Sequence, residues 1–511
     1  MAETKSTNYA IECRGITKSF GSVKANDNIN LTLEKGEILA LLGENGSGKT
    51  TLMNMISGIY HPDQGTILVN GEEAVINSPT DAMNFGIGMI HQHFKLVEVF
   101  NAMDNIVLGT KEKRRKPKVL KQEIVELSRK FGLEINPEQK VYNMSVSEKQ
   151  TVEIMKALYR GANVLILDEP TAVLTPQETE KLFEILRKMR DQGRSIIIIT
   201  HKLNEVMAVS DRVVILRKGE YIDTVKTSET SVTELTELMV GRPISLEIER
   251  LEVDRGDKLL EVVDLTVYRE DGTKAIDDVR FDIFRGEILG VAGIAGSGQK
   301  ELCETIAGLM RPKKGAILYE KENIIGKSPK EIIDLGIHMS FVPEDRLGMG
   351  LVASMGMTDN MLLKSYNKNK GIFVDKKPAK KLAQDLIGKL EIRTPGTETP
   401  VRHLSGGNVQ KVLLGREIES SPNLLITAYP VRGLDINSSY VIYDLLNEQK
   451  KKNVAIIFIG EDLDVLLELS DRIMVLCHGE VTGIVAAAET TKEEIGLMMT
   501  DSVRGEAEAH G

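Results

Sequence analysis

Cysteine is scarce: Cys13, Cys303 and Cys477 lie far apart in 511 residues, odd in number and without C-x-x-C spacing. That argues against a disulfide framework and against a zinc site, and suits the reducing cytosol. Long apolar runs are missing as well. Stretches such as SIIIIT at 195–200 fall far short of the roughly 20 residues a membrane-spanning helix needs. The opening MAETKSTNYAIECRG has no apolar signal core, so any membrane role is expected to come through partners. Positive charge is not in excess either. Lys and Arg number 65 against 75 Asp and Glu, a formal charge of -10, which weighs against a general nucleic-acid binder. What remains is ordinary globular composition, 41% hydrophobic and 27% charged, at a length that suits two domains.

The chain repeats itself. Lys35-Gly36-Glu37-Ile38 recurs as Arg285-Gly286-Glu287-Ile288, an offset of 250. Further on, Ser145 matches Ser405, and Ser210-Asp211-Arg212 matches Ser470-Asp471-Arg472, an offset of 260. Two homologous domains are predicted, at 8–242 and 258–503, joined by a short charged linker at 243–257. Both copies read as strand, glycine-rich turn, helix: in the first, the apolar run 37–42 precedes Gly43, and 50–56 has helical spacing. The fold class is α/β. The basic stretch 111–130, with helical spacing at 123–131, reads as a solvated helix face rather than an anion site, and the polar tail after Asp501 as frayed.

Gly43-Glu44-Asn45-Gly46-Ser47-Gly48-Lys49-Thr50-Thr51 fits the phosphate-loop pattern, whose glycines let successive backbone N–H groups face phosphates at a helix N-terminus. Lys49 is assigned to the β/γ phosphates, and the Thr50 hydroxyl to Mg²⁺. Mg-ATP is the expected substrate. Starting 114 residues after Thr50, Val164-Leu165-Ile166-Leu167 runs as a buried strand into Asp168-Glu169-Pro170. Asp168 suits a metal carboxylate, and Glu169 a general base or polariser of the attacking water, with a helix-capping pair as the plainer alternative. A second apolar strand, 196–199, leads to His201, expected near the γ-phosphate.

With Leu404-Ser405-Gly406-Gly407-Asn408 added, these residues resemble the ATP-binding-cassette family, whose signature caps the nucleotide held by the opposite domain. The Ser405 hydroxyl can donate to a phosphate oxygen, while Gly406 and Gly407 allow close approach at a helix N-terminus. The tandem layout, with LSGGNVQK at 404–411, VPEDR at 342–346 and Gly433-Leu434-Asp435, is similar to the ATPase of bacterial sugar and nucleoside importers. The stretch MIHQHFKL at 89–96 looks like the nucleoside branch. The resemblance implies two P-loop cassette domains, each a mixed sheet flanked by helices with a helical subdomain, using ATP and Mg²⁺. It makes Gln92 the sensor of γ-phosphate and metal, and Phe20 the aromatic that stacks on adenine, although an ordinary core position for Phe20 is a live alternative. It also implies transmembrane permease subunits facing 94–109, an extracytoplasmic substrate-binding protein, no nucleic acid, and a place at the cytoplasmic face of the membrane through the permeases alone. The same role in a ribose/galactose-type importer stays open. A soluble twin-cassette factor acting on ribosomes or DNA is disfavoured by the short linker and acidic balance.

The two sites are expected to differ. In this family each joins one domain's phosphate loop to the other's signature. Site one would combine Lys49, Thr50, Gln92, Asp168, Glu169 and His201 with Ser405 and Gly407, and Asn408 in place of the usual Gln is its one departure. In site two, Gln299 stands at the lysine position, Lys300 at the hydroxyl position, Ala428 and Tyr429 at the strand-end pair, and Glu461 at the histidine. The opposing signature reads Met144-Ser145-Val146-Ser147-Glu148, where Ser147 replaces a glycine and Glu148 would add negative charge near phosphates. Only site one is expected to turn over. Site two is expected to bind nucleotide weakly or statically, with Lys300 sliding into the place left by Gln299 as one means of keeping it.

Overall fold

A computed structural model describes residues 8–500 apart from 22, 92–93, 111–115, 173, 201, 243–247, 295, 335–338, 344, 367–373, 433 and 435. The chain divides into two compact units, Met1–Ser245 and Leu246–Gly511. In the first, the strands are β1 (Tyr9–Phe20), β2 (Val23–Glu34), β3 (Ile38–Leu42), β4 (Gln64–Val69), β5 (Glu72–Glu73), β6 (Ile87–Ile90), β7 (Val164–Asp168), β8 (Ser195–Ile199), β9 (Arg212–Arg217) and β10 (Glu220–Lys226). They form an antiparallel sheet in the order β2-β1-β4-β5 and a larger sheet in the order β10-β9-β3-β8-β7-β6. In the larger sheet, β9, β3, β8, β7 and β6 run parallel and β10 closes the edge antiparallel.

The continuous apolar runs of β3 and β8 are buried at every position, as strands covered on both faces must be. Because side chains alternate across a strand, each run feeds two cores. Ile38, Leu165, Leu167, Ile196 and Ile198 join a core with the helices Pro117–Phe131, Val146–Tyr159 and Pro176–Asp191. Leu39, Leu41, Ile166, Ile197 and Ile199 join the opposite core, with the helix Lys49–Ile56 and the inner face of the antiparallel sheet.

The helix expected at 123–131 begins earlier, at Pro117, because proline suits a first helical turn, and it stops at Gly132 with φ +74°. Its apolar face buries Leu120, Ile124 and Phe131, while Lys121 pairs with Glu138 at 2.8 Å on the outer side.

The second unit repeats this plan with β11 (Lys258–Tyr268), β12 (Lys274–Phe284), β13 (Ile288–Ala292), β14 (Lys314–Tyr319), β15 (Glu322–Asn323), β16 (Met339–Val342), β17 (Leu424–Ala428), β18 (Ala455–Ile459), β19 (Arg472–Cys477) and β20 (Glu480–Ala486). Its sheets run β12-β11-β14-β15 and β16-β17-β18-β13-β19-β20, the same orders.

The motifs that betray the repeat are its fasteners. The Arg212 guanidinium grips both oxygens of Glu37, whose carboxylate also accepts from the Glu34 N–H at 2.6 Å. Arg472 holds Glu287 at 2.7 Å in the same way, with the Phe284 N–H at 2.8 Å. Asp211 and Asp471 each accept the first strand N–H, Ile38 and Ile288, at 2.8 Å.

Of the stretch read as a linker, 248–257 packs on the second unit. Asn447 donates to the Glu249 carbonyl at 2.9 Å, and buried Lys450 donates to the Leu251 carbonyl and to Asp471. Among the described residues no helix is long and apolar enough to cross a membrane.

Candidate functional site

The carboxyl ends of β3, β8 and β7 lie side by side, so whatever follows each strand is delivered to one edge of the sheet. After β3 comes the phosphate loop. Gly43, Gly46 and Gly48 take φ of +154°, +81° and +94°. At Gly48 a Cβ would lie 2.3 Å from the Ala25 carbonyl oxygen, and at Gly43 it would lie 2.4 Å from the Ser47 hydroxyl. Only glycine fits either place. Lys49 opens the helix Lys49–Ile56 and folds its ammonium back onto the Gly43 and Glu44 carbonyls, at 2.7 and 3.0 Å. The buried Ser47 hydroxyl has no protein partner. A cradle of this shape, with a buried cation and an unsatisfied hydroxyl, fits a phosphate chain.

After β7 come Asp168 and Glu169. Glu169 sits at φ +47°, in the left-handed region that non-glycine residues rarely adopt, held by its N–H to the Ile199 carbonyl at 2.8 Å. Burial, then the neighbouring Glu169, pushes the Asp168 carboxyl up to about 6, against the pull of Lys49. Burial likewise holds the Lys49 ammonium below its usual value, while Glu169, Asp168 and Glu44 work the other way. Lys49, Asp168 and Glu169 are thus brought into one electrostatic group, and a helix-capping role for the carboxylate pair is not what the fold gives them. Gln150, buried on the helix Val146–Tyr159, ties that helix to this turn through the Pro170 carbonyl at 2.8 Å. Thr171 donates to Glu205, which also pairs with Lys202 at 3.1 Å. Sequence reasoning missed Gln150 and Glu205. Their roles depend on long-range approach, and no local pattern signals them.

Phe20 ends β1 exposed, with Tyr60 edge-on at 5.3 Å and the Lys18 ammonium 5.7 Å from its ring. It is not a core residue. Thr50 is exposed on the first helical turn, Thr51 is half-buried, and Asn45 is exposed on the loop. Gln92 and His201, the remaining members expected of this site, lie outside the described residues.

The second unit keeps the backbone and exchanges the chemistry. Tyr429 takes the conformation of Glu169, φ +51° with its N–H on the Ile459 carbonyl at 3.0 Å. Its ring lies under Arg432, which pairs with Glu461 at 3.3 Å. Gln299 is buried in the lysine's place and donates to the Ile294 carbonyl at 3.1 Å. Lys300 does not slide into that place: its side chain is 62% exposed and lies 3.8 Å from Glu304.

The two signature segments differ in what their serines do. In the first unit, Ser145 and Glu148 form a capping box, each accepting the other's backbone N–H, at 3.2 and 2.7 Å. Glu148 therefore caps its own helix, a role that S-x-x-E spacing signals, instead of simply adding charge beside phosphates. In the second unit the helix Gly406–Glu419 has no side-chain cap, so its first N–H groups stay open to an anion. Asn408, the departure from the usual residue, donates to the Ser405 hydroxyl at 2.8 Å and accepts the Arg393 N–H at 2.9 Å. That leaves the Ser405 proton free to donate outward.

A glycine loop of a shape that fits phosphates, built twice over, with an adjacent carboxylate pair beside one copy only, is the layout of a tandem P-loop ATPase. The chain belongs to the ABC transporter family, whose model matches residues 26–172 and 276–430, and as a member it binds and hydrolyses ATP. It is similar to the nucleoside import ATP-binding protein NupA of Lactococcus lactis, 42% identical over 96% of this chain and 97% of that protein. It is similar also to the guanosine import ATP-binding protein NupO of Bacillus subtilis, 43% identical over 98% of this chain and 99% of that protein. The ribose import ATP-binding protein RbsA of Caldanaerobacter subterraneus is 36% identical, over 95% of this chain and 98% of its own.

Proposed function

We propose that the chain is the energy-coupling subunit of a nucleoside importer, hydrolysing Mg-ATP at its first phosphate loop only. The observation that carries this reading is the contrast between Asp168-Glu169 beside buried Lys49 and Ala428-Tyr429 on the same backbone in the second unit. Lys49 holds the β/γ phosphates, and Phe20 stacks on adenine. Thr50, Asp168 and Gln92 would hold Mg²⁺; the two adjacent carboxylates at the sheet edge, with Asp168 raised to about 6, suit a divalent cation. When bound, that ion withdraws charge from the transferring phosphoryl group. Glu169 takes up the proton of the attacking water, and His201 orients that water against the γ-phosphate. Ser405, Gly406 and Gly407 supply the capping donors.

Two transmembrane permease subunits and an extracytoplasmic binding protein complete the importer, with this chain docked at the cytoplasmic face. Support for the permease contact comes from 94–109, where buried Asn105 pins Val97 through both its N–H and its carbonyl and Val99 is 67% exposed. Support for nucleosides over sugars comes from 42% and 43% identity to nucleoside and guanosine import proteins, against 39%, 38% and 36% to xylose, glucose and ribose ones. Reconstituted in vesicles with its permease and binding protein, the chain is expected to drive ATP-dependent uptake of labelled nucleoside that unlabelled nucleosides compete and ribose does not. Competition by ribose or galactose alone would assign it to the sugar branch.

A further inference from the structure

We propose that the second phosphate loop holds a nucleotide without a divalent metal, the Lys300 ammonium standing where the first loop presents its metal-binding hydroxyl. The cradle itself is retained. Gly293, Gly296 and Gly298 take φ of +157°, +92° and +101°, and the buried Gln299 closes the loop as Lys49 does in the first. Tyr268 ends β11 exposed beneath the Lys313 ammonium at 5.7 Å, as Phe20 ends β1 beneath Lys18, so a face for a base is retained too.

The metal shell does not fit. The carboxylate position is Ala428, the base position is an aromatic ring under a guanidinium, and the hydroxyl is a lysine. A cavity of about 240 Å³ opens there, its lining including Lys300, Glu304, Asp345, Phe341, Ala428 and Tyr429.

Charge decides between the two loops. The first gathers Asp168 and Glu169 around one lysine and needs an added cation before an anionic phosphate chain is welcome. The second sets Lys300 against Glu304 and Arg269 against Glu301, while Asp345 accepts the Gly348 N–H at 2.8 Å, so two of its carboxylates already face a cation. Arg269 also donates to the Gly296 carbonyl at 3.2 Å, which places a guanidinium on the loop itself. The Lys300–Glu304 contact is long, at 3.8 Å, and the lysine side chain is 62% exposed, so the ammonium can turn to a phosphate, at the cost of leaving the more buried Glu304 unmatched. With neither metal carboxylate nor base, a nucleotide here stays unhydrolysed.

The inference rests on reading both loops as nucleotide sites, but not on import. The test uses the full chain carrying Glu169→Gln, loaded with labelled ATP and Mn²⁺ and rapidly desalted, with bound nucleotide and bound Mn²⁺ counted separately. Two nucleotides and one Mn²⁺ per chain are expected, and one nucleotide in excess EDTA. Lys300→Ala should remove the EDTA-resistant nucleotide and leave the Mn²⁺-dependent one; Lys300→Thr combined with Ala428→Asp should bring in a second Mn²⁺. One nucleotide per chain under every condition, two Mn²⁺ in the parent chain, or EDTA-resistant binding lost in Lys49→Ala and kept in Lys300→Ala would each overturn it. Transport is not a readout, so failure here leaves the importer reading untouched.

Discussion

Lys49 is a cation kept in an unfavourable place. It is buried among loop carbonyls, and its compensation is the charge of Glu169, Asp168 and Glu44. Lys49→Ala is therefore expected to abolish ATP binding at the first loop without unfolding the unit, which ATP titration by calorimetry and a circular dichroism spectrum would check together. Gly48→Ala is expected to fail differently: a methyl group 2.3 Å from the Ala25 carbonyl, at φ +94°, must displace β2, so ATP binding and stability fall together. The residue types of this loop were legible in the sequence because the chemistry fixes both type and spacing. Asn408 was legible only as a departure, since its value lies in meeting Ser405 and the Arg393 N–H at once, a relation between a helix turn and a distant loop. Asn408→Ala is expected to lower ATP turnover several-fold, about the worth of one hydrogen bond that orients a donor, with ATP binding at the first loop measured as the control. The thiols are simpler. Burial, then Glu12, pushes Cys13 up to about 12, and Cys303 and Cys477 are buried too. A hydrophilic maleimide at pH 8 should label none of them in the folded chain and all three after denaturation.

At the scale of elements, the strands were read correctly where they are buried on both faces, because a continuous apolar run bounded by glycine or a charged pair has few other solutions. The helix at 117–131 was caught only in its second half, since its basic first turns mask the apolar spacing. Glu148 was read as a charge when its spacing from Ser145 also spelled a helix cap, and local geometry won. The duplicated Glu–Arg fastener gives a test of the units one at a time. Glu287 is almost fully buried and meets Arg472 in two hydrogen bonds, so Glu287→Ala leaves the half-buried guanidinium with Asp282, at 3.1 Å, as its carboxylate partner. A loss of about 2 kcal/mol, the worth of charge-assisted hydrogen bonds, is expected in the second unit. Hydrogen exchange should rise across β13 and β19 and stay unchanged across β3 and β9. Equal loosening of both units would mean that the pair is not a local fastener.

For the whole molecule, duplication followed by divergence explains why one backbone recurs with two chemistries. The left-handed turn at Glu169 is kept at Tyr429 because it is built into the way β17 and β18 end. An uncapped signature stands in one unit and a self-capped one in the other, and the Asp168-Glu169 pair is matched by Ala428-Tyr429. The central claim is that the chain has a single turnover site. The measurement that tests it most directly is steady-state ATP hydrolysis by the transporter complex carrying Glu169→Gln, with ATP binding measured alongside. The account predicts unimpaired binding and turnover lowered by about a hundredfold or more, the usual worth of a general base; turnover that persists at a large fraction of the unsubstituted complex would mean that the second site hydrolyses ATP after all.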